Sequence, residues 1–203
     1  MRRGFNNFRF SVRIAACIVS LLAIVRGQLI NAAETKLPVT FTGGHELSRN
    51  DYGRPIALMA AGLGVKTEEF RKAFSGVTPA RGRGPTGAEA RRNKESLMKV
   101  LAPLKVTNER MDEVANYYRF RPQNGELWPV KPAEAYAVIE DGKIKKLVVT
   151  EPGSGYNSPP TATVKGFEKI RLEAKVKYDK DLKKNGGIAA VEEASKEDAA
   201  KKR

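Results

Sequence analysis

The sequence predicts an α+β fold: a signal peptide, an N-terminal subdomain of about four short helices, a small antiparallel β-sheet and a flexible C-terminal tail. Three observations predict it. Residues 1–33 have the composition of an export signal. Between Pro55 and Arg121, apolar residues recur at helical spacing between capping signals. From Ala135 onward the period changes to two, with turn residues separating the runs. The expected boundaries are 1–33 for the signal, 34–128 for the helical subdomain, 129–180 for the β module and 181–203 for a charged Ala/Glu/Lys tail.

The amino terminus carries Arg2, Arg3, Arg9 and Arg13 with no acid, then an apolar run from Ile14 to Val25, then a small-residue exit at Ala32-Ala33. A helix of that run reaches about 18 Å, short of the ~30 Å hydrocarbon core of a bilayer. The expectation is cleavage near Ala32 or Ala33 and a chain that is not an integral membrane protein afterwards. Ile14-Ala15-Ala16-Cys17 has the look of a lipoprotein box, but the apolar run follows the cysteine instead of preceding it. Cys17 is the only cysteine, so a cleaved chain has no disulfide and no thiolate chemistry. Residues 1–33 hold five arginines and no acid, so cleavage lowers the formal charge from +14 to +9. Outside the cytoplasm, that excess favours anionic envelope material over nucleic acid.

Leu37 to Thr42 has the makings of a short first strand, ended by Gly43-Gly44. A polar loop from His45 leads to Pro55, a residue suited to a helix start, and Ile56 to Leu63 reads as a small-residue helix stopped by Gly64. Thr67 can cap a second helix whose Phe70 and Phe74 share a face. Thr86-x-x-Glu89 is a capping box for a third helix, which Pro103 ends; Thr107 caps a fourth. Helix, turn and helix in a basic segment resemble a DNA-reading unit, but Glu109, Asp112 and Glu113 stand where phosphates would approach, so no nucleic acid is expected.

Ala135 to Glu140 alternates, Asp141-Gly142 suits a two-residue type I′ turn, and Lys143 to Thr150 continues as a strand. Its phase slips, which a strand covered on both faces or a bulge near Lys145-Lys146 would explain. Pro152-Gly153-Ser154-Gly155-Tyr156 ends the strand at a sharp corner where Tyr156 is expected to be buried with its hydroxyl on backbone. Pro159-Pro160 then leads into a return strand, Thr161 to Val164, and Lys169 to Tyr178 alternates as a further strand. Val148, Pro152 to Tyr156, Pro159 to Thr161 and Val164 together resemble the PGSGY-type β-repeat of bacterial secreted and cell-surface proteins. The resemblance spans residues 135–166 and implies a β module on an exported protein, with no catalytic residues; the remainder resembles a bacterial envelope protein.

His45 is the only histidine. With Glu46 and Asp51 it gives one loop the composition of an acid/base or metal site, but zinc needs three or four ligands on a fixed frame. A locally bonded histidine is therefore expected, with no metal, cofactor or catalytic residue. His45, Arg54, Tyr117, Arg119, Arg121 and Trp128 are the candidate ligand-binding residues, being of the types that populate interfaces. The competing expectation is that Trp128 and the tyrosines cement the helical part to the β part.

These readings favour a non-enzymatic binding or structural module of the bacterial envelope, secreted or periplasmic. Two alternatives stand beside it: a hydrolase or metal-dependent enzyme using His45, Glu46 and Asp51 with Arg54, and a binder of anionic polymers through Arg81, Arg83, Arg91, Arg92, Arg119 and Arg121. The partners expected are an anionic envelope polysaccharide, a lipid surface or another envelope protein.

Overall fold

The strand nearest the amino terminus organises the sheet. The computed structural model describes residues 34–194 apart from 52, 79–83 and 122–123. The signal segment, Cys17, Arg81, Arg83 and the last part of the tail lie outside the described residues. Strand β1 (Thr35–Thr42) pairs antiparallel with β2 (Glu134–Glu140) along one edge and with β4 (Thr161–Val164) along the other. With β3 (Lys143–Glu151), β5 (Leu172–Lys177) and β6 (Gly187–Glu193), the order is β3-β2-β1-β4-β5-β6 in one six-stranded sheet.

This corrects the expected fold class. The sheet is not a small module following a helical subdomain. It is a six-stranded, nearly closed barrel whose central strand precedes the helices. The described residues belong to one compact unit, with the helical segment inserted between β1 and β2. The expected flexible tail is also corrected: Leu182 and Asn185 are buried and Gly187–Glu193 forms an outer strand. The Ala/Glu/Lys composition reads as a frayed helix only while β5, the partner of that strand, is ignored.

Closure rests on a short run of bonds between the glycine corner and the start of β6. Gly155 N donates to Asn185 O (2.8 Å), Tyr156 N to Gly186 O (3.0 Å) and Ile188 N to Pro152 O (2.8 Å). The glycines permit the approach. A Cβ at Gly153 would stand 2.4 Å from the Lys131 carbonyl, and one at Gly186 would stand 2.6 Å from the Tyr156 carbonyl. The barrel interior is lined by Val39, Ala137, Ile139, Ala162, Val164, Ala174 and Ile188. Alanines at several inward positions suit a barrel of few strands, whose interior is narrow.

Local signals give the elements. Asp141 (φ 50°) and Gly142 (φ 71°) make the primed turn between β2 and β3. The β2–β3 register shifts so that Lys145 is the extra residue, so of the two accounts of the slipped phase the bulge holds. Tyr156 is buried and its hydroxyl accepts from Ala133 N at 3.1 Å.

The inserted helices are α1 (Ile56–Leu63), α2 (Thr67–Phe74), α3 (Gly87–Leu101) and α4 (Asn108–Tyr117). Gly64 caps α1 in the left-handed region, while Thr86 and Thr107 cap α3 and α4 through their hydroxyls. The start of α2 lies one residue earlier than expected, with Lys66 at the cap position and Glu69 accepting from its amide. Ile56, Leu58, Phe70, Leu101, Val114 and Tyr118 form their core. Among the described residues no helix is long and apolar enough to cross a membrane.

The helices meet the barrel at the loop between β5 and β6. Asn185 is fully buried: its amide donates to Leu58 O (2.7 Å) and to the Tyr118 hydroxyl (2.9 Å), and its Oδ1 accepts from Asp179 N (3.0 Å). Burial, partly offset by that amide bond, pushes the Tyr118 hydroxyl pKa well up. Arg110 of α4 donates to Gly62 O on α1 and to Lys180 O in the same loop. Replacing Asn185 by leucine keeps the bulk and orphans three groups. Buried unpaired groups cost about 1–3 kcal/mol each. The variant is expected to lose about 3 kcal/mol or more, read as a lower urea midpoint with an unchanged m-value.

Candidate functional site

Two places bring chemistry-bearing side chains together. The first is the loop following β1. Gly44 O accepts from the amides of Asn157 (2.8 Å) and Ser158 (3.1 Å), so the loop is bonded directly to the end of the glycine corner. His45 is half-buried, stacked on Tyr156 with centroids 5.0 Å apart and edge-on to Trp128 at 6.2 Å. Its Nδ1 donates to Gly155 O at 3.3 Å, the carbonyl that also accepts from Trp128 Nε1 at 2.8 Å. Trp128 is 2% exposed and has Phe120 edge-on at 5.2 Å. It is interior cement and presents no surface to a ligand.

Glu46 accepts from Gly44 N and from the Ser158 hydroxyl (2.9 Å). Burial opposes its charge, but bonds from its own amide, Ser158 and Gly44, with His45 nearby, outweigh that and hold the carboxyl below its ordinary value. Asp51 is buried and held bidentately by Arg71, through Nε at 2.8 Å and Nη2 at 3.3 Å. The bond to Asp51, reinforced by Glu68, raises the guanidinium pKa. His45, Glu46 and Asp51 thus have separate partners. Among the described residues no group of three His, Cys, Asp or Glu side chains is placed to hold a metal.

Of the remaining sequence candidates, Arg54 and Arg119 come near each other as like charges, and the others do not join them at one cleft. Arg54 is solvent-facing, and its pKa is lowered by partial desolvation and by the like charge of Arg119. Arg119 is exposed and donates to Asn116 Oδ1 at 2.9 Å. Arg121 is exposed, on the stretch that Glu126 pins through the Arg121 amide. Tyr117 sits edge-on to Tyr118, and burial together with the charge of Asp181 raises its pKa, which places it toward the β5–β6 loop.

The second place was not anticipated. A cleft of about 470 Å³ lies over the seam where β3 meets β6. Val149, Pro152, Gly153, Gly187 and Ile188 line it with backbone and apolar surface. Lys131, Lys177, Lys183 and Lys184 line it together with Glu151 and Asp179. Lys131 is paired with Glu151 at 2.7 Å, and Lys184 lies 3.6 Å from Asp181. Asp179 Oδ1 accepts from the Asp181 amide and Asp181 Oδ1 from the Lys183 amide. No described carboxylate lies within ion-pair distance of Lys177 or Lys183.

A larger groove, about 790 Å³, runs beside β4 and β5. Of its three cations, Arg171 and Lys175 pair with Glu173 and Glu192, and Lys169 has no described carboxylate within ion-pair distance. The seam lysines come from the segment before β2, the end of β5 and the β5–β6 loop. The only sequence signal for them is Lys183-Lys184 beside the Asn185-Gly186-Gly187 turn.

The chain matches no protein-family model, no curated protein and no solved structure.

The lowered pKa of Glu46 has a pH consequence. The unfolded carboxyl titrates at its ordinary 4.5 and the folded one below it. Its contribution to stability is complete above that ordinary value and is lost as pH falls through the folded value. Glu46→Gln is expected to lower the melting temperature at pH 7, with the gap to the parent closing below about pH 4, followed by circular dichroism melts across pH.

Proposed function

We propose that the chain is an exported, non-enzymatic binding module of a bacterial cell envelope whose ligands are anionic. The observation that carries the non-enzymatic part is the use made of His45, Glu46 and Asp51. The imidazole bonds the Gly155 carbonyl, one carboxylate bonds Gly44 and Ser158, and the other is gripped by Arg71. A general base or a metal ligand needs a lone pair directed at substrate or ion. Here the carboxylate oxygens are turned to structural donors from opposite parts of the chain. The hydrolase alternative has no support from this geometry.

Export rests on the basic, apolar and small-residue succession of residues 1–33. Preference for anions rests on the charge of +9 left after that segment and on the lysines of the seam cleft. A surface with unpaired cations gathers polyanions in a salt-dependent manner.

Two measurements test the reading. The protein recovered outside the cytoplasm is expected to begin near residue 33 or 34 by intact-mass analysis. Finding only the full-length chain, soluble in the cytoplasm, would refute export. His45→Ala is expected to melt at a lower temperature, with no stoichiometric metal in parent or variant. Metal bound one-to-one by the parent and lost in the variant would overturn the non-enzymatic reading.

A further inference from the structure

The seam cleft differs from the rest of the basic surface in three ways. It is concave and, at about 470 Å³, falls in the range that holds small ligands. Its cations are all lysines, from three separate segments that only barrel closure brings together. Its acids do not neutralise it: four lysines face Glu151 and Asp179, with Asp181 3.6 Å from Lys184, which leaves an excess of one positive charge. Glu151 is taken by Lys131 and Asp179 by the Asp181 amide, while Lys177 and Lys183 have no acidic partner among the described residues.

Lysine suits a compact anion. Arginine's planar fork matches carboxylate and phosphate alike, whereas the ammonium of lysine binds phosphate as a compact point charge with three rotatable donors. Two lysines from separate segments can close on one tetrahedral anion. A phosphate monoester carries about −1.5 to −2 near pH 7, which the two lysines without acidic partners can meet. The floor of Val149, Pro152, Gly153 and Ala189 offers apolar and backbone surface against which a sugar-sized body can lie.

We propose that the seam cleft binds a phosphate monoester carried on a sugar-sized body, with Lys177 and Lys183 holding the phosphate. This deepens the reading of the chain as a binder of anions and rests on it. A free sugar phosphate and the phosphorylated end of an envelope glycan present the same group. The site is distinct from the arginines after α4 and from Arg91, which lines a separate, smaller cleft of about 290 Å³ beside α3.

The test is calorimetric titration of the purified protein with glucose 6-phosphate, with glucose and inorganic phosphate as controls and phosphorylated dextran as the polymer arm. Glucose 6-phosphate is expected to bind saturably, one per chain, and more tightly than either control. Lys177→Ala with Lys183→Ala is expected to weaken it about tenfold or more by removing two charge-assisted contacts. Both lysines are exposed, so the melting temperature should hold. Arg91→Ala with Arg92→Ala should leave binding unchanged. Saturable binding of glucose 6-phosphate alone assigns a free sugar phosphate; binding of the dextran as well assigns an envelope polymer. Absence of saturable binding, or binding indifferent to the lysine pair, overturns the site. If saturable glucose 6-phosphate binding is absent while heparin retention persists in the lysine variant and fails in the arginine variant, the site is overturned and the broader reading as a polyanion binder stands.

Discussion

The bonds that join the glycine corner to the start of β6 set the geometry of everything around them. Pro152, Gly155 and Tyr156 meet Ile188, Asn185 and Gly186 there, and the barrel closes only at this point. The strands of the sheet are ordered by ladders that any curved sheet would have. The seam is different, because it requires two glycine-bearing turns to come within van der Waals contact of backbone. At Gly153 and Gly186 there is no room for a Cβ, and both sit at positive φ.

The same corner supplies acceptors to the surrounding side chains. The Gly155 carbonyl receives both the indole NH of Trp128 and the imidazole NH of His45. That arrangement fixes the segment before β2 and the loop after β1 against one point. On the other side of the seam, Asn185 passes the constraint to the helices through Leu58 and Tyr118. A buried amide with all its bonds made is worth more for geometry than for net energy, since each bond exchanges against water. It holds the helical layer and the barrel in one register.

Charge follows a different logic from packing. Most surface cations with a nearby acid are paired, among them Lys94 with Asp112, Lys145 with Glu140 and Arg110 with Glu113. Exposed pairs of this kind contribute little to stability. Lys177 and Lys183 are placed beside backbone of the seam, where acidic side chains have already been used for turn bonds. The positive excess there is a by-product of how the β5–β6 loop is built, and it coincides with the concavity left by incomplete closure.

What the sequence determined by itself was local. The primed turn at Asp141-Gly142, the bulge at Lys145, the caps at Gly64, Thr86 and Thr107, and the burial of Tyr156 are set by φ/ψ preferences and bonds to near neighbours. The tertiary structure alone decided the strand order, because β1 finds both partners more than ninety residues away along the chain. It also turned Gly187–Glu193, an Ala- and Glu-containing part of the expected tail, into β6, since a strand is defined by the edge it pairs with and not by its own composition. His45, Glu46 and Asp51 looked like a site because they are close in sequence, yet they were parted by different partners. Lys131, Lys177 and Lys183 gave no such signal, because only closure of the barrel brings them together.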